Sequence, residues 1–403
     1  MVCFYTCGHL KTVFGICNRE FNICIQMGSK NALYYIFSIV RLLLYPFALL
    51  YGAVVWLRNR LYDAKFFTSI GFTVPVIAVG NLSTGGTGKT PHVEYLVRLL
   101  QYRYRVATMS RGYKRHTQGF FIADENSNAL RIGDEPMQYH MKYPELVVSV
   151  AEERMTGIPR LLQRRPDVDV IILDDAYQHR SVKAGLTLLI TDYSRPFYHD
   201  HILPFGSLRE SRNAYKRADV IIVSKCPLNM TFMQAQEIEK HIKPTPGQKV
   251  FYTGIQYDMP YDMLSNELVQ LSGKHIVLVC GIARPEPLLA HLKNNAADVH
   301  TLTYQDHHYF VTPDLEEIKS AHDNWNVPNK IIATTEKDAA RLHLHLGKLR
   351  EWNIPIVVVP IAVTVLFDKG AEFDDAMLKY VEQAVAENNE YGMGNPELDP
   401  TNP

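Results

Sequence analysis

The sequence predicts an α/β fold: a P-loop, doubly wound and mostly parallel sheet, with a second, smaller α/β domain and an N-terminal membrane-associated helix. Three observations predict it. Short continuous Val/Ile/Leu runs recur through the body, and such runs read as parallel strands covered on both faces. Helical stretches such as residues 92–103 separate them and give βαβ units. After the first run stands "GNLSTGGTGKTPHVEYL" (Gly80–Leu96), a glycine loop between a strand and a helix, the order a phosphate grip requires.

At 403 residues the chain has room for two domains with appendages. Lys+Arg and Asp+Glu both total 42, so no overall charge draws it to nucleic acid, and none is expected as a partner. Four of the six cysteines (Cys3, Cys7, Cys17, Cys24) lie in the first 24 residues. The body, with Cys226 and Cys280, carries no disulfide framework and fits a reducing compartment; no spacing matches a common zinc finger.

Residues 1–26 lack a clear period and a signal-peptide cleavage pattern, which marks Met27 as the expected biological start. The next segment, 27–63, contains "YYIFSIVRLLLYPFALLYGAVVWL" (Tyr34–Leu57), 24 residues with the single charge Arg41. That length spans a bilayer. Arg41 near its centre costs about 2.5–3.5 kcal/mol, and Pro46 and Gly52 interrupt a uniform helix, which favours an interfacial or partly inserted helix over a span or a core helix. Its tyrosines, Trp56 and the following Arg58 and Arg60 suit a headgroup-level position.

Residues 64–243 form the expected P-loop domain, with "VPVIAVG", "RVATMS", "LVVSVA", "DVDVIILDD", "LTLLITD" and "ADVIIVSK" as strands. The polar "KPTPGQ" (Lys243–Gln248) precedes a second series, "HIVLVCG", "DVHTLTY", "NKIIATT" and "IPIVVVP", placing the second domain at 244–385. Residues 386–403, rich in Asn, Pro and Gly, are expected to be a disordered tail.

In the glycine loop, Ser83 stands where the usual G-x-x-x-x-G-K-[ST] spacing expects its first glycine. Ser83, Thr84, Gly85, Gly86, Thr87 and Gly88 are the expected phosphate cradle, with Lys89 at the β and γ phosphates and the Thr90 hydroxyl on Mg²⁺. The strand ending in Asp174-Asp175 supplies a metal-holding carboxylate in the manner of a Walker B strand; the alternative is a cap on the next helix. In "IGDEP", Glu135 reads either as a helix N-terminal charge or as a site residue, and Asp134 is a candidate base beside an acceptor hydroxyl. Among 16 histidines the cluster in "YQDHHYF" (Tyr304–Phe310) stands out. The arginines in "MSRGYKRH", "AEERMTG" and "GSLRESRNAYKRAD" suggest an anionic substrate besides the nucleotide.

With "SRGYKR", "GDEP", "DDAYQHR", "LPFGSLRE", "RADVIIVSK", "CGIARPEPLLAHL", "YQDHHYF" and "TTEKDAARL" following the loop in order, the sequence resembles the tetraacyldisaccharide 4'-kinases, the lipid A 4'-kinases of Gram-negative bacteria, from about Tyr45 to about Leu378. The family's loop also lacks its first glycine, so Ser83 agrees with it. The long leader departs from the pattern, as does "LRESRNAYKRAD", where a proline often follows LRE. The resemblance implies transfer of the ATP γ-phosphate to the 4'-hydroxyl of lipid A disaccharide 1-phosphate on the cytoplasmic face of the inner membrane. It implies ATP and Mg²⁺ as cofactors, with Thr90, Glu135 and Asp174 at the metal. Asp134 paired with His307 would activate the hydroxyl, Asp175 would orient His307, and the Asp-His order selects His307 over His308. Tyr113, Arg154, Gln178, Arg209 and Glu210 match positions near the acceptor or the phosphates. The rival reading is a P-loop GTPase or metallochaperone-type NTPase at the membrane, which should show N/T-K-x-D where this chain has "VSKCP".

Overall fold

Each apolar run named above forms a strand in the computed structural model, which describes residues 43–393. The leader, Met27, the start of the apolar stretch and residues 394–403 lie outside the described residues. The chain runs through α1 (Tyr45–Asp63), β1 (Val76–Gly80), α2 (Lys89–Leu100), β2 (Val106–Ser110), β3 (Phe121–Ile122), α3 (Ala129–Ile132), α4 (Asp134–Lys142), β4 (Val147–Val150), α5 (Arg154–Arg164), β5 (Val170–Asp174), β6 (Leu186–Asp192), β7 (Val220–Ser224), α6 (Phe232–Ile242) and β8 (Lys249–Tyr257). It continues through β9 (Tyr261–Asp262), β10 (His275–Cys280), α7 (Glu286–Asn295), β11 (Asp298–Thr303), α8 (Thr312–Asn324), β12 (Lys330–Thr335), α9 (Glu336–Leu342), α10 (Leu346–Glu351), β13 (Ile356–Val359), β14 (Ile361–Val365) and α11 (Gly370–Met393).

Nine strands form one sheet in the order β14-β8-β7-β6-β1-β5-β2-β4-β3, parallel except where β3 meets β4 and β14 meets β8 at the two edges. β1, β5 and β7 are buried at every position, as continuous apolar runs under two helical layers require. β1 lies centrally, with Val79 opposite Asp174 of β5, so the loop after β1 and the acidic end of β5 open at the same carboxyl edge. Ligands of open α/β sheets bind at such an edge. The second sheet, β11-β10-β12-β13-β9, is parallel apart from β9.

The second sheet occupies less chain than residues 244–385. β8 and β14 pair with each other at the edge of the first sheet, and α11 packs there too, its Phe373, Met377 and Val381 buried with α2 and β8 in one core. Three such side chains stabilise the layer by about 1.5–3 kcal/mol each, so the C-terminal helix is part of the nucleotide-binding layer. Residues 386–393, expected in a disordered tail, continue α11.

α1 begins at Tyr45 with Pro46 in its first turn, where the missing N–H costs nothing. Among the described residues no helix is long and apolar enough to cross a membrane. α1 is fixed to the body by Tyr51, Arg58 and Asn59; Phe47, Leu50, Val54 and Leu57 are more than half exposed, at the three-and-four spacing of one helical stripe that Tyr51 and Arg58 border.

Candidate active site

The glycine loop leaves β1 at Gly80, where a Cβ would meet the Tyr177 backbone nitrogen at 2.7 Å, so glycine is required for strand and loop to pass. Thr84, Gly85 and Gly86 are exposed at the tip, with nothing within 4 Å of a Cβ built on either glycine. Gly88, at φ 88°, ends the loop in the left-handed region, and α2 starts at Lys89. The positive end of α2 and its free N–H groups therefore face the loop, an arrangement suited to phosphate. Ser83 is buried against Leu208, in a position where a Cβ fits. Thr87 is buried with its hydroxyl accepting from Asn81 Nδ2 at 2.8 Å, so its side chain braces the loop rather than a ligand.

Residues that sequence reasoning left without a role brace the loop from behind. Ser224 Oγ donates to Thr87 O at 2.6 Å, and Lys225 Nζ bonds both Gly86 O and, at 2.8 Å, Asp192. His92 bridges Gly88 O (2.7 Å) and Thr253 Oγ1 (3.0 Å), and burial lowers its pKa to about 4, which keeps it neutral. "RADVIIVSK" carried the signal for Ser224-Lys225, but only sheet order shows that β7 ends behind the loop.

Asp174 and Asp175 diverge. Asp174 is buried, accepts from Tyr139 Oη at 3.0 Å through Oδ2, and leaves Oδ1 with no partner. Burial pushes its pKa up to about 6, although Lys89 opposes the shift. An unpaired oxygen on a buried carboxylate fits a cation, and the Thr90 hydroxyl stands half-buried at the start of α2. No three His, Cys, Asp or Glu side chains gather into a cage among the described residues. Glu135, expected at the metal, commits Oε1 to Lys337 at 3.0 Å.

Asp175 was expected to orient His307. It instead faces Lys89 at 3.4 Å and Arg209 Nη1 at 3.0 Å, and although burial pushes its carboxyl up, these two cations hold it below the usual range. Its φ of 51° aims it there at a backbone cost of about 1 kcal/mol.

Asp134 and His307 do meet. His307, also at positive φ (61°), reaches from the loop after β11 to place Nδ1 2.8 Å from Asp134 Oδ2 on α4. Burial would raise Asp134, but the His307 hydrogen bond and the Arg341 charge outweigh it and keep it ionised. A carboxylate only accepts, so Nδ1 must donate, and in the neutral ring Nε2 is left able to take a proton. Tyr113, exposed, stands edge-on to the His307 ring at 5.7 Å, so it lines the same opening. His308 turns away to Asp314 at 2.7 Å.

The other expected acceptor residues divide. Gln178 and Arg209 meet at 3.3 Å beside Asp175. Glu210 is buried, holding Asn59 of α1 at 2.8 Å and Arg217 at 2.9 Å, so it fastens α1 to the loop that carries Arg209. Arg154 is wholly buried and donates to the main-chain oxygens of Ala151 (2.9 Å) and Asp174 (3.1 Å); it supports the end of β5 from below and does not face the opening.

The chain as a whole has known relatives. The sequence profile of LpxK, tetraacyldisaccharide-1-P 4'-kinase, matches residues 40–382. The chain belongs to this family. It is 42% identical over 353 residues to the tetraacyldisaccharide 4'-kinase of Bacteroides thetaiotaomicron, covering 84% of this chain and 93% of that protein. It is 42% identical over 348 residues to that of Flavobacterium johnsoniae, covering 86% and 98%. The crystal structure of the "apo" form of LpxK from Aquifex aeolicus in complex with ATP superposes with a TM-score of 0.66 at 27% identity, covering 85% of this chain and 99% of that one. Family membership favours the kinase over the GTPase reading, and the LpxK structure with ATP agrees with ATP as the nucleotide.

Proposed function

We infer that this protein transfers the γ-phosphoryl group of ATP to the 4'-hydroxyl of tetraacyldisaccharide 1-phosphate, giving the 1,4'-bisphosphate of lipid A biosynthesis. The observation that carries this reading is the Asp134–His307 hydrogen bond, which joins the two sheets beside the phosphate site of a chain belonging to the 4'-kinase family. A loose phosphoryl-transfer transition state needs positioning and charge neutralisation more than covalent chemistry. The loop amides and Lys89 grip the phosphates, and Asp175, itself held by Arg209, keeps Lys89 in place. Asp174 Oδ1 and Thr90 would hold Mg²⁺, which would neutralise charge on the phosphate oxygens.

His307 Nε2 takes the 4'-hydroxyl proton as the sugar oxygen bonds to the γ-phosphorus and the β,γ-bridging oxygen leaves with ADP. Asp134 holds the ring in the required tautomer and stabilises the imidazolium that forms. Because His307 comes from the second sheet, closing the two sheets on each other completes the site and excludes water, which limits loss of ATP to hydrolysis.

The acceptor is a lipid, and the apolar stripe of α1 is the surface suited to meet it at the cytoplasmic face of the inner membrane. Tyr51 and Arg58 hold the Arg209 and Gln178 main chain at the margin of that stripe and Asn59 holds Glu210 on the far side, so lipid docking and acceptor placement share one element. The test is incubation with γ-labelled ATP, Mg²⁺ and tetraacyldisaccharide 1-phosphate in mixed micelles. Label should move to the lipid; label found only in inorganic phosphate would reject the assignment.

A further inference from the structure

We propose that Arg341 is a positioning residue for this reaction: it locks the second sheet onto α4 and sets the face of Asp134 that His307 meets. The inference rests on the kinase reading and deepens it. Arg341 sits on α9 with its guanidinium wholly buried. Nη2 and Nε donate to Asp134 Oδ2 at 2.9 and 3.1 Å, and Nη1 donates to Asp338 Oδ1 at 2.8 Å and Gly281 O at 3.2 Å. Gly281 O also accepts the His307 backbone N–H at 3.3 Å, so one guanidinium touches Asp134 and the peptide that carries His307.

The protons follow from the chemistry of the groups. Arg341 Nη2 is 3.2 Å from His307 Nδ1, yet arginine only donates and Nδ1 is already donating to Asp134. Both donors therefore converge on Oδ2, leaving Oδ1 with only the long 3.4 Å contact from Tyr309. Nε and Nη2 of the rigid guanidinium grip the one oxygen Oδ2 from two directions, which fixes where that oxygen sits and with it the direction of the imidazole. Two further ion pairs run along the same helix pair, Lys337 to Glu135 at 3.0 Å and Glu336 to Lys142 at 2.5 Å. Asp338, held by Thr335 Oγ1 at 2.7 Å and the Gly281 N–H at 3.0 Å, keeps the guanidinium from turning. Lysine in this place would keep the charge but could not hold Asp134 and Gly281 together.

The test is Arg341→Lys, alone and combined with Asp134→Asn, with lipid phosphorylation, ATP affinity and amide exchange of residues 134–142 and 336–342 measured on the full chain. Displacing a positioned base by about 1 Å costs about 100-fold, so kcat should fall by about that factor with the KM for ATP unchanged. The double variant should be no slower than Asp134→Asn alone, because Arg341 acts through Asp134. Exchange should quicken in both helices together. Asp338→Asn, which loosens the guanidinium without removing it, should give the same pattern at about a tenfold loss and serves if the lysine variant does not fold. Losses that multiply in the double variant, or a kcat within about threefold of native, overturn the proposal. If the native protein labels no lipid, the kinase reading falls, and the exchange measurement still decides: unchanged exchange in residues 134–142 removes Arg341 from the positioning role.

Discussion

Replacing Asp134 by Asn tests the chemistry with little change of shape. Oδ2 accepts three hydrogen bonds, from His307 Nδ1 and from Arg341 Nη2 and Nε, all with charged character. A hydrogen bond to a charged group contributes about 1.5–3 kcal/mol against about 0.5–1.5 for a neutral one, so losing the charge weakens each by about 1 kcal/mol. Arg341 keeps Asp338, so folding stability should drop by about 2–3 kcal/mol, less than the 3–5 for a buried ion stripped of its partner. The effect on rate should be larger. Losing an oriented base removes a factor of about 10²–10⁴, equal to about 2.7–5.4 kcal/mol at 1.36 per tenfold. Steady-state kinetics of lipid phosphorylation, ATP binding and thermal melting separate the two effects. The expected result is a folded protein that binds ATP as the native one does but turns over at least 100-fold more slowly. A kcat within tenfold of native would refute the role of Asp134 in orienting the His307 base, and a comparable loss of ATP affinity would move Asp134 to the nucleotide side.

Lys89→Met should weaken ATP binding by about 10- to 100-fold, the worth of one charge-assisted contact, in equilibrium titration; an unchanged affinity would take Lys89 off the phosphates. Glu336 is buried beside Glu94, with Lys142 between, and burial raises its pKa to about 7 from an ordinary 4.5. A raised acid stabilises the fold fully below its unfolded value and loses that contribution as pH rises to about 7, so Glu336→Gln should flatten the fall in melting temperature between pH 5 and 8; an unaltered slope would contradict this. Aspartates in place of Leu50, Val54 and Leu57, each more than half exposed on α1, should abolish binding to anionic vesicles, since each buried apolar chain contributes about 1.5–3 kcal/mol. Cosedimentation equal to native would remove α1 from the membrane surface.

The parallel core was legible because burial on both faces writes itself into the composition of each strand. β8 and β14 were not, since "KVFYTGIQY" and "IAVTV" are the last two strands on one side of the sheet and are separated in the chain by the whole second sheet, and nothing local says which sheet they join. The same limit put the domain division at 243/244 and hid α11. In the site, Lys89 and Asp134 could be singled out from motif chemistry, whereas the pairing of Asp134 with His307 was implied by the family resemblance. Asp175 was misassigned because two adjacent carboxylates at a strand end look alike in sequence, and only the turn at φ 51° sends this one to Lys89. Arg154 and Arg341 look like solvated helix charges, yet both are wholly buried, because burial depends on neighbours from distant chain.

The packing of α11 on α2 also fixes an order of events during synthesis. A ribosome delivers the phosphate loop and α2 early, but the side of α2 that bears Tyr95 waits for Phe373 and Asp374 of α11, emerging 279 residues after Tyr95 in the case of Asp374, to cover it (Tyr95 Oη to Asp374 at 2.7 Å). The whole five-stranded unit is made in the interval. A nascent chain stopped after β8 would thus hold a formed glycine loop on an unfinished layer, with apolar surface open to chaperones and proteases, and nucleotide binding should mature only once the final helix has left the exit tunnel.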